Sequence, residues 1–157
     1  MKHIGIVACS AEGAALCYRT ICTEAPALLG RYAHPEVTMH TFNFADYMRY
    51  IEAEDWRGIA DLMLASAGKV AGAGAELAIC PDNTIHQAFD LFIDKSPVPW
   101  LHIAEVVAEE AKKNGYRRLG VLGTRFLMEG PVYREKLDAA GIENMIPEKE
   151  DLSLIHI

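Results

Sequence analysis

Three short segments of this 157-residue chain carry side chains suited to small-molecule chemistry, and each follows an apolar run. They are Ala8-Cys9-Ser10-Ala11-Glu12, Pro81-Asp82-Asn83-Thr84-Ile85-His86 and Gly123-Thr124-Arg125. Asn83, Thr84 and Thr124 offer side-chain donors and, at a helix start, backbone N–H groups of the kind that hold a carboxylate. The same residue types cap helices in every protein, so the signal is their joint placement behind several strands rather than any one of them. The four cysteines (Cys9, Cys17, Cys22, Cys80) contain no CxxC pair and read as reduced thiols. Cys9 and Cys80 read as small buried hydrophobes. No His/Cys pair has close metal-ligand spacing, which argues against a zinc site. Gly72 and Gly74 precede a strand instead of opening a helix after one, and no GxxxxGK[ST] loop exists. The sequence therefore gives no support for a nucleotide, nicotinamide or other cofactor.

The elements that must position these segments alternate along the whole chain. Ile4 to Ala8, Val37 to Phe42, Leu77 to Cys80, Trp100 to Ile103, Arg118 to Leu122 and Asn144 to Ile146 read as strands. Between them, Glu12 to Leu29, Trp56 to Ala73, Glu105 to Asn114 and Glu129 to Ala140 read as helices, the last two stopped by Gly115 and Gly141. A further helix is expected near Thr84, with Asp82 or Asn83 as its cap. Such alternation predicts an α/β fold, a parallel sheet flanked by helices on both faces. In an open sheet of this type ligands bind beyond the carboxyl ends of the strands, where all three segments fall.

Ser96-Pro97-Val98-Pro99 is the expected lobe boundary, because two prolines restrict the chain there. Residues 1–97 then form a complete first lobe and 98–151 a partial second one, too short in strands to cover its own apolar faces. Leu152-Ser153-Leu154-Ile155-His156-Ile157 reads as a non-native tail resembling a translated library adapter. The formal net charge of −7 argues against nucleic acid or an anionic membrane surface as partner. No apolar run is long enough for a membrane span, and the start is too short for a signal peptide, so a cytoplasmic location is expected.

Lys2-His3-Ile4-Gly5-Ile6-Val7, Cys80-Pro81-Asp82-Asn83-Thr84-Ile85-His86 and Leu119-Gly120-Val121-Leu122-Gly123-Thr124-Arg125-Phe126-Leu127-Met128-Glu129 together resemble the landmark segments of the aspartate/glutamate racemase family. The likeness in order and spacing runs from Met1 to Asp151. It implies two similar α/β lobes with the active site in the cleft between them, the second pseudo-symmetric lobe being truncated here. It also implies cofactor-independent racemisation of a small amino-acid or carboxylate substrate, most simply an acidic amino acid, by a homodimer. In that scheme one cysteine from each lobe flanks the α-carbon. Such chemistry needs acid/base groups on opposite faces of a planar carbanion, and a thiol (pKa about 8.5) suits proton abstraction at neutral pH better than a carboxylate (about 3.9).

The resemblance makes Asn83 and Thr84 binders of the substrate α-carboxylate, and Thr124 their counterpart in the second lobe. His86 belongs to the matched motif, as a residue that orients substrate or as one that packs a helix. Arg49 falls near the arginine that aspartate-acting members use for the side-chain carboxylate. Two departures stand out. Asp82 occupies the first catalytic cysteine's place in the Pro-Cys-Asn-Thr-x-His pattern, and Ala8-Cys9-Ser10 replaces Gly-Gly-Met in a loop one residue shorter. No Gly-Cys-Thr segment supplies the second thiol. Asp82 is then either a carboxyl proton shuttle or the mark of a one-thiol enzyme. Two rivals follow: a lyase or isomerase like the arylmalonate decarboxylases and maleate isomerases, and a non-catalytic carboxylate-binding module.

Overall fold

Ile4-Gly5-Ile6-Val7-Ala8 forms strand β1 (Ile4–Ala8), an apolar run that leaves nothing but its first residue partly open to solvent. In the computed structural model, which describes residues 1–148, it is the heart of a four-stranded sheet. Helix α1 (Ala11–Leu29) follows, then β2 (Val37–Thr41), α2 (Phe44–Glu52), α3 (Trp56–Gly72) and β3 (Leu77–Ile79). A 3-10 turn (Thr84–Ala88), the single turn α4 (Phe89–Phe92) and a second 3-10 turn lead to β4 (Trp100–Leu101). The strands run in the order β2-β1-β3-β4, all parallel. These elements make one compact unit, Met1–His102.

Strand alternation divides the core into two halves. Ile6 and Ala8 pack with Ala14, Cys17 and Ile21 of α1 on one face. Val7 and Ala78 pack with Ala67 and Val70 of α3 on the other. A period of 2 in β1 thus meets a period of 3.6 in each helix, the pattern of a sheet covered on both sides. Gly5 sits where α3 comes closest: a β-carbon there would lie 2.7 Å from Val70 Cγ2 and 3.0 Å from Ala75 Cβ.

The second unit, Ile103 onward, holds α5 (Ile103–Lys113), β5 (Arg118–Gly120), α6 (Arg125–Met128), α7 (Pro131–Ala139) and β6 (Glu143–Met145). β5 and β6 pair in parallel over a small core of Ala108, Ala111, Val121, Leu127, Leu137 and Ile142. Gly115 and Gly141, both at φ +73°, end α5 and α7 in the left-handed region, as their position after each helix implies.

Four expectations change. The segment Phe44–Glu52 is a helix that the periodicity reading passed over; Asn43 caps it by accepting a bond from the Ala45 N–H. Pro97 and Pro99 lead into a strand of the first sheet, since Ala78 and Ile79 pair with Trp100 and Leu101. The compact units accordingly divide after His102 rather than at residue 97. The helix expected from Glu129 to Ala140 begins two residues later, at Pro131, and a separate turn, α6, precedes it. The expected Asn83 or Asp82 cap on the turn at Thr84 makes no side-chain bond there. The tail read at residues 152–157 lies outside the described residues.

Gly5→Ala should destabilise the protein by about 1–3 kcal/mol, since Val70 is fully buried and cannot yield cheaply. Urea unfolding measures it, and an unchanged midpoint would mean that α3 can shift away from β1.

Candidate active site

The sheet order β2-β1-β3-β4 reverses direction between β1 and β3, because α1 leads one way from β1 and α3 carries the chain back across it. At such a switch point the loops leave a crevice at the strands' carboxyl ends. Two of the three chemical segments meet there. The backbone N–H groups of Cys9 and Ser10 both donate to Asp82 Oδ2, at 3.1 Å each. The side chain that failed to cap its own turn instead closes the start of α1 across the sheet, where the positive end of the helix dipole favours an anion. Ser10 Oγ accepts from the Gly13 N–H at 3.3 Å, so the Ser10 side chain works as the N-cap of α1.

The Asp82 backbone is held from below. His86 Nδ1 donates to its carbonyl oxygen at 2.9 Å, and the Cys80 thiol lies 3.9 Å from the same oxygen. His86 is buried, stacked against Phe89 and edge-on to His102. It therefore sits beneath the loop as a packing and anchoring residue rather than on a surface open to ligand. Gly13 leaves room above: a β-carbon there would fall 3.2 Å from the Pro81 carbonyl oxygen and 3.5 Å from Asp82 Oδ1. Unlike Oδ2, Oδ1 accepts no hydrogen bond from the described residues. Asn83 and Thr84, half-buried, open the 3-10 turn immediately after Asp82.

Arg49 is not brought to this place. Its guanidinium is 66% exposed, lies over the Tyr50 ring and stands 3.9 Å from Asp46 one helical turn back. The residue of α2 that faces inward is Tyr47, two positions earlier, at 0% exposure. A two-residue step is about 200° of helix rotation, so these two side chains point to nearly opposite sides. Thr124 belongs to the second unit, where it is exposed at the start of α6 and its hydroxyl makes no capping bond. Among the described residues no group of His, Cys, Asp and Glu could hold a metal ion, and no helix is long and apolar enough to cross a membrane.

The sequence model of the Asp/Glu/Hydantoin racemase family matches residues 4–157. Among solved structures, a candidate Asp/Glu racemase from Yersinia pestis matches with a TM-score of 0.89 and 31% identity, over 98% of this chain and 67% of that one. An aspartate racemase homologue from Pyrococcus horikoshii OT3 matches at 0.85 and 30%, over 99% and 68%. The glutamate racemase from Aquifex pyrophilus shares the fold, at 0.67 and 20% identity over 96% of this chain and 57% of that one. The chain belongs to the Asp/Glu/hydantoin racemase family. This places it among the isomerases.

The two thiols beside Asp82 are unsuited to proton transfer near neutral pH. Burial, and then the charge of Asp82, push Cys9 up from 9.0 to about 12. Cys80 is raised well above 9.0 by the same two causes, burial first. Neither is a thiolate near neutral pH, in line with their reading as small hydrophobes. Tyr47 lies buried nearby, and its hydroxyl has no hydrogen-bond partner among the described residues. Only the inward phase of α2 distinguishes it from Tyr50, and that phase is invisible until the helix itself is recognised.

Cys9 should resist iodoacetamide at pH 8, where a pKa of about 12 leaves roughly one thiol in ten thousand ionised. Asp82→Asn removes the neighbouring charge, lowers the Cys9 pKa and should raise its alkylation rate, read by mass spectrometry at Cys9. The raised pKa also fixes the sign of its pH effect. The folded chain holds this proton more tightly than the unfolded one, so its stabilising contribution is complete below about 9 and is lost as pH rises towards 12. Rapid labelling of Cys9 in the native protein at pH 8 would contradict this picture.

Proposed function

We propose that the protein is a cofactor-independent isomerase acting on an acidic amino acid by proton transfer at the α-carbon, with Asp82 as the first-lobe acid/base. The observation that carries this reading is the division of labour in the Asp82 carboxylate. Oδ2 is fixed by the Cys9 and Ser10 N–H groups, while Oδ1 carries no hydrogen bond from the described residues. A carboxylate tied by one oxygen is aimed, and its other oxygen can take a proton from a substrate carbon or return it. Asn83 and Thr84 would receive the substrate α-carboxylate at the turn that follows. The aspartate racemase homologue named above supports the acidic substrate class. The exposed setting of Arg49 gives no support to its role as the side-chain carboxylate's partner.

Racemisation needs a second acid/base group on the opposite face of the carbanion. The chain spans 67% and 68% of the two more similar relatives, and it has no Gly-Cys-Thr segment to supply that group. The 157 residues alone are accordingly expected to give no net turnover.

The test is deuterium wash-in at the α-carbon of D- and L-aspartate and D- and L-glutamate in heavy water. It should be run on this chain and on the longest product of its gene. The longer product should exchange an acidic amino acid, and Asp82→Cys should raise the rate by restoring a thiol. No exchange with any of the four amino acids would overturn the proposal, and turnover by the 157-residue chain would overturn its inactivity.

A further inference from the structure

The loops after β1 and β3 and the start of α2 converge at one edge of the first sheet. β2 ends at Thr41, in register with Ala8 at the end of β1, and α2 begins three residues later. Tyr47, in the first turns of α2, therefore stands beside the crevice that holds Asp82. Its ring is completely buried, and its hydroxyl is sealed from solvent with no hydrogen-bond partner among the described residues. Burial, followed by the charges of Cys9, Cys80 and Asp82, raises its pKa, so the phenol keeps its proton and remains a donor. A buried hydroxyl without a partner is costly, and a phenylalanine would fill the same space without that cost. The arrangement is what a donor held ready for a ligand oxygen requires.

We propose that Tyr47 is a substrate-positioning residue of this site, its hydroxyl donating a hydrogen bond to a carboxylate oxygen of the bound amino acid. The inference rests on the racemase-family reading of the crevice and deepens it: the ligand class is a small carboxylic acid whose oxygen ends up desolvated beside the phenol. Beside the donors at Asn83 and Thr84, a neutral phenol adds a hydrogen bond that offsets the repulsion between a ligand carboxylate and Asp82. Because the hydroxyl is sealed, a side chain that covers it must shift as the ligand oxygen enters. In this low-dielectric setting the bond gained is stronger than at a wet surface.

The test follows the Tyr47 ring-carbon Cζ by NMR in the 157-residue chain while L-aspartate, D-aspartate or succinate is added. The Cζ resonance should move saturably, and Tyr47→Phe should weaken binding by roughly ten-fold to a hundred-fold, as loss of one donor to a charged group implies. The variant's thermal midpoint should stay the same or rise, an outcome that a purely structural hydroxyl would not give. Equal aspartate affinity in wild type and Tyr47→Phe would overturn the inference and leave the racemase reading standing. Tyr47-dependent binding of succinate with none of aspartate would uphold the inference and sink the amino-acid reading. A Cζ resonance that stays still while the Asn83 and Thr84 amides shift would overturn the inference, even if the variant failed to fold.

Discussion

One carboxylate oxygen ties together the two sides of the crevice at the carboxyl ends of β1 and β3. Asp82 Oδ2 accepts from the N–H groups of Cys9 and Ser10, and so joins the end of β3 to the start of α1. The bonds satisfy two donors that a helix start leaves without intrahelical partners, at the end of the macrodipole that prefers negative charge. Ser10 cannot do this with its own side chain, which is occupied with the Gly13 N–H. The first turn of α1 is therefore held by one residue from within and one from across the sheet.

The constraint reaches outward through the backbone. The Asp82 carbonyl is fixed by His86, and His86 is set in the aromatic cluster of Phe89, Phe92, Trp100 and His102 beneath the loop. That cluster draws on β4, which is why Trp100 and Leu101 belong to the first sheet and not to a second lobe. Gly5 sets the distance of α3 from β1, and Gly13 leaves the space in which Asp82 Oδ1 lies. The same negative charge that steadies the helix start, together with burial, keeps the thiol of Cys9 protonated. Where the family pattern calls for a cysteine, residue 82 is thus an anchored carboxylate, and both nearby thiols are held protonated near neutral pH.

Most of the fold was legible because hydrophobic period is a local property. β1, β2, α3 and β3 lie within a residue or two of where alternation and helical spacing place them, and the match to racemases follows from the order of those elements with Cys80-Pro81-Asp82-Asn83-Thr84. What could not be read was decided by tertiary direction. Asp82 is an ordinary cap residue in sequence, and nothing local says that it caps a helix some seventy residues earlier. His86 and Arg49 are polar residues in or near a matched motif, yet packing turns one inward beneath the loop and leaves the other over Tyr50 in solvent. Tyr47 reverses the error: an aromatic in a run of large side chains reads as packing, and only its unpartnered hydroxyl marks it out. The proline-rich boundary misled for a similar reason, since proline restricts the backbone wherever the chain turns, whether between lobes or into an edge strand.

Asp82 is held as an anchored carboxylate by the turn after β1. Amide hydrogen exchange at Cys9 and Ser10 tests it most directly, because both N–H groups depend on that one oxygen. In the native chain the two amides should exchange slowly, and Asp82→Ala should speed both by at least ten-fold while leaving the β1 amides protected. Rates at Cys9 and Ser10 that are already fast, or that ignore the substitution, would contradict the account.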